Sequence, residues 1–219
     1  MAGIFKSYDI RGIYPEELDE DRARDIGQAT GNFFGEGTVL VGHDMREVAE
    51  PISEALVDGL NRAGNDVLDI GLCSTPMNYM AIGHFDAVGG VMVTASHNPP
   101  EYIGFKLSRE EARPVSYETG IAQIEEAVKN GDLEEAESSG TYEERDFLDQ
   151  YVRDLLDFTG ELDNLEIAVD AGNGMAGLTV PPVLEQLPVD YDGLYMDLDG
   201  TFPNHPPNPL EPENLRDLQ

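Results

Sequence analysis

The stretch Thr94-Ala95-Ser96-His97-Asn98-Pro99-Pro100-Glu101-Tyr102-Ile103-Gly104-Phe105-Lys106 places a cluster of reactive side chains just past a strand. The apolar run over 87–93 that leads into it has the length and composition of a buried strand. Pro99 and Pro100 bar regular structure beyond it, because proline lacks an N–H and pushes its predecessor out of the helical region. Ser96, His97 and Asn98 are therefore expected on a stiff loop at the carboxyl end of a strand, which is where ligands bind in open α/β sheets. Lys106 lies on a segment, 102–107, that reads as a returning strand, and only Lys6 and Lys129 accompany it as lysines. A hydroxyl, an imidazole and an amine gathered so closely point to chemistry more than to packing.

Strand-like and helix-like segments alternate on both sides of this loop. Residues 18–34 carry Leu18, Ala23, Ile26, Ala29, Phe33 and Phe34 at helical spacing, and 38–42 form a short buried strand. Residues 48–63 read as a helix with Ile52, Ala55, Leu56 and Leu60 on one face, and 66–70 as a strand closed by Gly71. Thr75-Pro76 opens a third helix, with threonine as the cap and proline in the first turn. Downstream, 117–129 is helical, and the polar, acidic segment 130–140 reads as a linker. A helix over 147–158, a strand over 165–169, mostly helix over 174–187 and a strand over 189–196 follow. The prolines between Pro203 and Pro212 cannot complete a sheet. The alternation predicts an α/β fold with a mixed, mostly parallel sheet sandwiched by helices.

With 219 residues, 40% of them hydrophobic, the chain can bury a core. No apolar run approaches about 18 residues, so no membrane span is expected, and the first residues lack the apolar stretch of a signal peptide. A single cysteine, Cys73, excludes an intrachain disulfide and fits a reducing, cytoplasmic location. Forty-four acidic residues against thirteen basic ones give a net charge of −31. That charge is spread over segments with regular apolar patterns, as on a folded protein with an acidic surface. Such a surface repels itself in dilute salt and is screened in concentrated salt, which suggests a salty cytoplasm such as that of a halophilic archaeon. The same charge argues against nucleic acid as a partner, because phosphate backbones need patches of Lys and Arg.

Three kinds of chemistry could use Ser96. A serine hydrolase of the elbow type would want glycines flanking the serine, and Ala95 and His97 do not fit. A phosphate-binding loop would want more glycine. A phosphoserine enzyme would want an exposed hydroxyl, cations and a metal, and the residue types favour this third reading. Other features read as structural. Asp44 and Arg46 form a local ion pair that braces a strand exit, and the turn at Asp170–Gly174 is structural. His43, His84 and His205 are structural or solvated, and Cys73 is a small buried apolar residue.

The loop 94–106 resembles the active-site loop of the α-D-phosphohexomutases, the phosphomannomutase/phosphoglucomutase family. Phe5-Lys6-Ser7-Tyr8-Asp9-Ile10-Arg11-Gly12 resembles that family's opening segment. Val41-Gly42-His43-Asp44-Met45-Arg46 resembles a third element, in which arginine usually stands at the position of His43. Val169-Asp170-Ala171-Gly172-Asn173-Gly174 and Phe202-Pro203-Asn204-His205-Pro206-Pro207-Asn208-Pro209 resemble the start and a later piece of the second domain. The ordered matches run along nearly the whole chain.

The resemblance implies domain I over residues 1–142 and an incomplete domain II of similar topology over 143–219. It implies phosphoryl transfer between the 1- and 6-positions of mannose or glucose phosphates, through a phosphoserine and a bisphosphorylated sugar. Ser96 would carry the phosphate and, through it, contact Mg²⁺. Lys106 would act as general acid/base, Arg11 would hold phosphate or orient Lys106, and Tyr8, His97 and Asn98 would line the site. Glucose or mannose 1,6-bisphosphate would be the intermediate and activator. The family's magnesium loop, sugar-recognition loop and second phosphate-binding loop have no counterpart here, so the 219 residues are expected to be inactive as a mutase alone and able to self-associate through the second domain. The alternatives are a short non-catalytic paralogue serving as a binding or regulatory module, and a phosphate-ester hydrolase. Asp197-Leu198-Asp199-Gly200-Thr201 also spells the opening motif of haloacid-dehalogenase-type phosphatases, but only eighteen residues follow it, too few for their remaining motifs.

Overall fold

Side chains of the first sheet alternate between two apolar layers, and those layers fix which helices cover it. The computed structural model of the chain describes residues 3–219. In β2 (Thr38–His43), Val39 and Val41 enter one layer and Leu40 the other. In β4 (Gly89–Val93), Val91 and Val93 join the first layer and Met92 the second. Successive strand side chains point to opposite faces, so strands covered on both sides read as unbroken apolar runs.

Six strands form this sheet. β1 (Ile10–Ile13) lies at one edge beside β5 (Tyr102–Arg109), then come β4 and β2, then β3 (Asp66–Leu72), and β6 (Tyr142–Glu144) closes the other edge. β5 runs antiparallel to both of its neighbours, and the remaining pairs are parallel. Helices α1 (Glu20–Phe34), α2 (Ala49–Arg62) and α4 (Ala122–Asn130) pack on one face. Helices α3 (Thr75–His84) and α5 (Leu148–Asp157) pack on the other, with Phe147 and Tyr151 in the second layer. α1 and α2 approach closely through glycines. A Cβ at Gly27 would lie 2.2 Å from the Leu56 carbonyl oxygen, and one at Gly59 2.1 Å from that of Arg24.

The crossover through α2 takes β2 to β3 on one side, and the crossover through α3 brings the chain back to β4 on the other side of β2. The strand order therefore reverses between β2 and β4. In open α/β sheets the crevice at the carboxyl ends of two such strands is the preferred ligand site. Here those ends are His43 and Val93, joined just beyond by the Asp44 N–H donating to the Val93 carbonyl at 3.0 Å.

A second, two-stranded parallel sheet pairs β7 (Leu165–Asp170) with β8 (Val189–Leu194). Two short helices, α6 (Ala176–Thr179) and α7 (Pro181–Leu184), connect them.

Several local expectations needed correction. The helix expected over 174–187 is broken where Pro181 and Pro182 remove successive N–H donors. Ser74 rather than Thr75 caps α3, its hydroxyl accepting the Met77 N–H at 3.3 Å, and Pro76 sits in the first turn. Residues 117–121 form a wide π-turn ahead of α4 rather than its first regular turn. β1 was not anticipated, because four residues interrupted by Arg11 and Gly12 carry no strand pattern. β6 was missed as well, since all three of its residues are exposed. No helix of the described residues is long and apolar enough to cross a membrane.

Candidate active site

Ser96 is exposed at the crevice between β2 and β4 and holds φ at 54°. A non-glycine residue in the left-handed region costs about 1–3 kcal/mol and persists only where its surroundings impose it. Here a buried polar network does so. The Ser96 N–H donates to Thr94 Oγ1 at 2.9 Å, and Thr94 Oγ1 donates to Asp44 Oδ2 at 2.6 Å. Asp44 Oδ1 also accepts the Arg46 N–H at 3.1 Å, and Asp44 Oδ2 accepts Arg46 Nε at 3.3 Å.

Arg46 is the hub of this network and is only 3% exposed. Its Nη1 donates to the carbonyls of Pro99 at 2.7 Å and Tyr102 at 3.1 Å. Its Nη2 donates to those of Ser96 at 2.9 Å and Asn98 at 2.8 Å. Burial lowers its pKa, while the adjacent Asp44 carboxylate favours the charged form. The expected ion pair with Asp44 is present, but most of the Arg46 hydrogen bonds go to the serine loop. Sequence reasoning missed this role. The available signal was an arginine two residues past an aspartate at a strand exit, in a chain poor in cations.

The other residues lie around this support. Ser96 Oγ is 3.3 Å from His97 Nδ1. Asn98 Oδ1 accepts from Arg11 Nη1, and Arg11 also faces Asp9 at 3.7 Å. Strand register pairs Arg11 with Gly104 and Lys106 with Met92. Because Gly104 and Lys106 are two apart on β5, Arg11 and Lys106 share the sheet face that carries Met92. Lys106 is half-buried and has no hydrogen-bond or ion-pair partner among the described residues. Tyr8 lies on the preceding loop and is 76% exposed. The fold thus brings Ser96, His97, Asn98 and Arg11 together and sets Lys106 on the adjoining strand, while Tyr8 is left open to solvent.

A cavity of ≈ 360 Å³ adjoins Ser96, lined by Thr75 and Thr94 from the first unit and by Ala171, Met175 and Phe202 from the second. A larger cleft of ≈ 880 Å³ lies beyond β3, where Glu50, Glu54, Asp69 and Glu144 line it. Those carboxylates would repel an anionic ligand, so size alone does not make that cleft the site of phosphate chemistry.

In the Asp170–Gly174 turn the polar groups are spent internally. Asn173, with φ at 59°, donates through Nδ2 to the Asp197 carbonyl at 2.9 Å and accepts from Asn204 Nδ2 at 2.8 Å. Asp170 accepts the Gly172 N–H and faces His205 Nε2, so this turn braces the second unit. Asp199 accepts the N–H and hydroxyl of Thr201 in a local turn. His84 packs edge-on against Phe85 and near Phe147. Cys73 is buried with Sγ 3.5 Å from Met92 Sδ, and burial pushes its thiol pKa up, away from reactivity. Among the described residues no three His, Cys, Asp or Glu side chains converge on a point that could hold a metal ion.

Comparison with known proteins identifies the family of both parts of the chain. Residues 2–135 match the model of phosphoglucomutase/phosphomannomutase alpha/beta/alpha domain I, and residues 147–219 match that of alpha/beta/alpha domain II. A protein of Xanthomonas campestris pv. campestris described as "phosphohexose mutases" is 44% identical over 212 residues, which make up 96% of this chain and 47% of that protein. A phosphomannomutase of Salmonella typhimurium is 42% identical over 218 residues, covering 95% of this chain and 48% of its own. The crystal structure of a phosphoglucomutase/phosphomannomutase family protein from Burkholderia thailandensis superposes with a TM-score of 0.90 at 37% identity, covering 98% of this chain and 48% of that one. The chain spans about half the length of these relatives. It belongs to the phosphoglucomutase/phosphomannomutase family.

Proposed function

We propose that Ser96 is the phosphoryl carrier of a phosphohexomutase reaction that moves phosphate between the 1- and 6-positions of a mannose or glucose phosphate. The observation that carries this reading is the presentation of Ser96. It is an exposed hydroxyl in a strained backbone conformation, at the point where the strand order reverses, on a loop held from below by Arg46. Relatives described as phosphomannomutases support the substrate class.

In the first transfer the bond between phosphorus and Ser96 Oγ breaks and a bond from phosphorus to a sugar hydroxyl oxygen forms. The hydroxyl proton passes to Ser96 Oγ, with Lys106 as its carrier. The bisphosphorylated sugar turns round, and the reverse exchange returns its other phosphate to Ser96. A phosphoserine brings a charge of about −1.5 to −2, and the nearby cation Arg11 offsets it. Positioned cations are the main means of stabilising phosphoryl transfer. Asn98, which holds Arg11, and His97, beside Oγ, line the phosphate position, while Tyr8 stays exposed on the loop ahead of β1 and would meet only a bound sugar phosphate.

Mg²⁺ is the metal expected for this chemistry. The described residues do not fit it, since a phosphate on Ser96 would supply one ligand and no carboxylate cluster supplies the others. By itself the 219-residue polypeptide is expected to exchange phosphate with a bisphosphorylated sugar but not to sustain isomerisation. Incubation with glucose 1,6-bisphosphate in Mg²⁺ buffer tests this. The reading requires release of glucose monophosphate and one phosphoryl group retained on the protein. A phosphate-ester hydrolase would release inorganic phosphate and leave the protein unmodified, and a non-catalytic module would leave the sugar intact.

A further inference from the structure

Arg46 sits where the serine loop meets the second unit. All five N–H donors of its guanidinium are used, one on Asp44 and four on loop carbonyls. The Phe202 ring covers the guanidinium, with the guanidinium carbon 5.2 Å from the ring centroid. Gly200 presses on the same turn, where a Cβ would lie 2.8 Å from Arg46 Cα and 2.9 Å from the Met45 carbonyl oxygen. Phe202 is buried and holds φ at 51°, so its own backbone also depends on being seated here. Two strained residues, Ser96 on one side and Phe202 on the other, thus converge on one side chain.

We propose that Arg46 is the positioning residue of the Ser96 nucleophile, and that the seating of Gly200 and Phe202 on the Arg46 turn holds it in place. Docking of the second unit then sets the geometry of the serine loop. This role in catalysis rests on the phosphoryl-transfer reading of Ser96, whereas the mechanical link rests on the contacts alone. The physical reason is the fork. A planar guanidinium can serve four carbonyls and offer a face to an aromatic ring, and an ammonium with three donors and no plane cannot. When Phe202 withdraws, that face opens to water, which competes for the donors that hold Ser96 in its left-handed conformation.

Hydrogen exchange read by mass spectrometry on the whole 219-residue chain separates the possibilities. The reporting amides are those of Ser96, Asn98 and Tyr102, which donate to Thr94 Oγ1 and to the carbonyls of Ala95 and Pro99. Arg46→Lys, which keeps the charge beside Asp44, and Phe202→Leu, which removes the ring over the guanidinium but no hydrogen-bonding group, should both speed exchange over 95–103 by about tenfold or more. Peptides from β2 and β3 should exchange as in the parent chain. Unchanged loop protection in Phe202→Leu would overturn the link, as would an equal loss of protection in β2 and β3. Retained loop protection in Arg46→Lys would show that charge alone suffices and would overturn the positioning role. Loading of Ser96 from glucose 1,6-bisphosphate gives the second readout. Both variants should load more slowly at saturating bisphosphate, with the concentration for half-maximal rate unchanged. If the parent chain does not load, the phosphoryl-transfer reading fails, while the exchange result still decides the mechanical link.

Discussion

The two sheets are made of similar strands and held together by different forces. In the first, β4 is buried along its whole length and β2 along its centre, between two layers of aliphatic side chains. In the second, β7 and β8 are exposed or half-buried throughout. Order there comes from polar cross-links, through Asn173 to Asp197 and Asn204, and through His205 to Asp170. It also comes from the seating of Gly200 and Phe202 on the Arg46 turn. The difference teaches where each unit is vulnerable. The first should respond to changes in packing volume, and the second to changes in protonation and hydrogen bonding.

Core truncation gives the largest contrast. Leu56→Ala, in the fully buried α1–α2 layer, should lower stability by about 2–5 kcal/mol in urea unfolding. Ile167→Ala on half-buried β7 should cost about 1 kcal/mol or less. Equal losses would remove the distinction between the units. Overpacking comes next. Gly59→Ala, which drives a Cβ onto the Arg24 carbonyl, should cost about 1–3 kcal/mol, whereas Gly83→Ala, with nothing within 4 Å of the new Cβ, should be neutral or slightly stabilising.

The smallest effect is pH dependence in the second unit. His205 Nδ1 faces the Pro206 carbonyl at 2.9 Å and Nε2 faces Asp170 at 3.1 Å. With oxygen acceptors on both sides, the ring is best satisfied as imidazolium. The Pro206 hydrogen bond, aided by Asp170 and opposed by burial, raises its pKa above 6.5. A raised folded-state pKa stabilises fully below the unfolded value and is lost as pH rises through the folded value. Melting curves should therefore show the chain losing stability above about pH 6.5, and His205→Gln should flatten that loss. An unchanged pH profile in His205→Gln would show that the ring is not the source.

Much of the first unit was legible because its strands are buried on both faces and its helices on one. Residues 38–42 and 87–93 announced themselves as apolar runs, and 48–63 by its Ile52, Leu56 and Leu60 spacing. β1 and β6 were not legible, since an edge strand held by main-chain hydrogen bonds needs no apolar pattern. The serine loop was legible through its prolines and its position after a strand. Its support was not. The reach of Arg46 to four carbonyls fifty or more residues along the chain depends on β2 lying beside β4, and no local pattern encodes that adjacency. The same holds for Phe202, whose proline-rich surroundings suggested only a loop.

The central claim is that Ser96 carries the phosphoryl group, and the site of loading tests it most directly. Parent chain and Ser96→Ala would each be incubated with glucose 1,6-bisphosphate and Mg²⁺, digested, and mapped by mass spectrometry. The account predicts one phosphoryl group on the peptide containing residues 94–106, located on Ser96, and none on Ser96→Ala. Phosphate on another residue, or equal loading of Ser96→Ala, would contradict it.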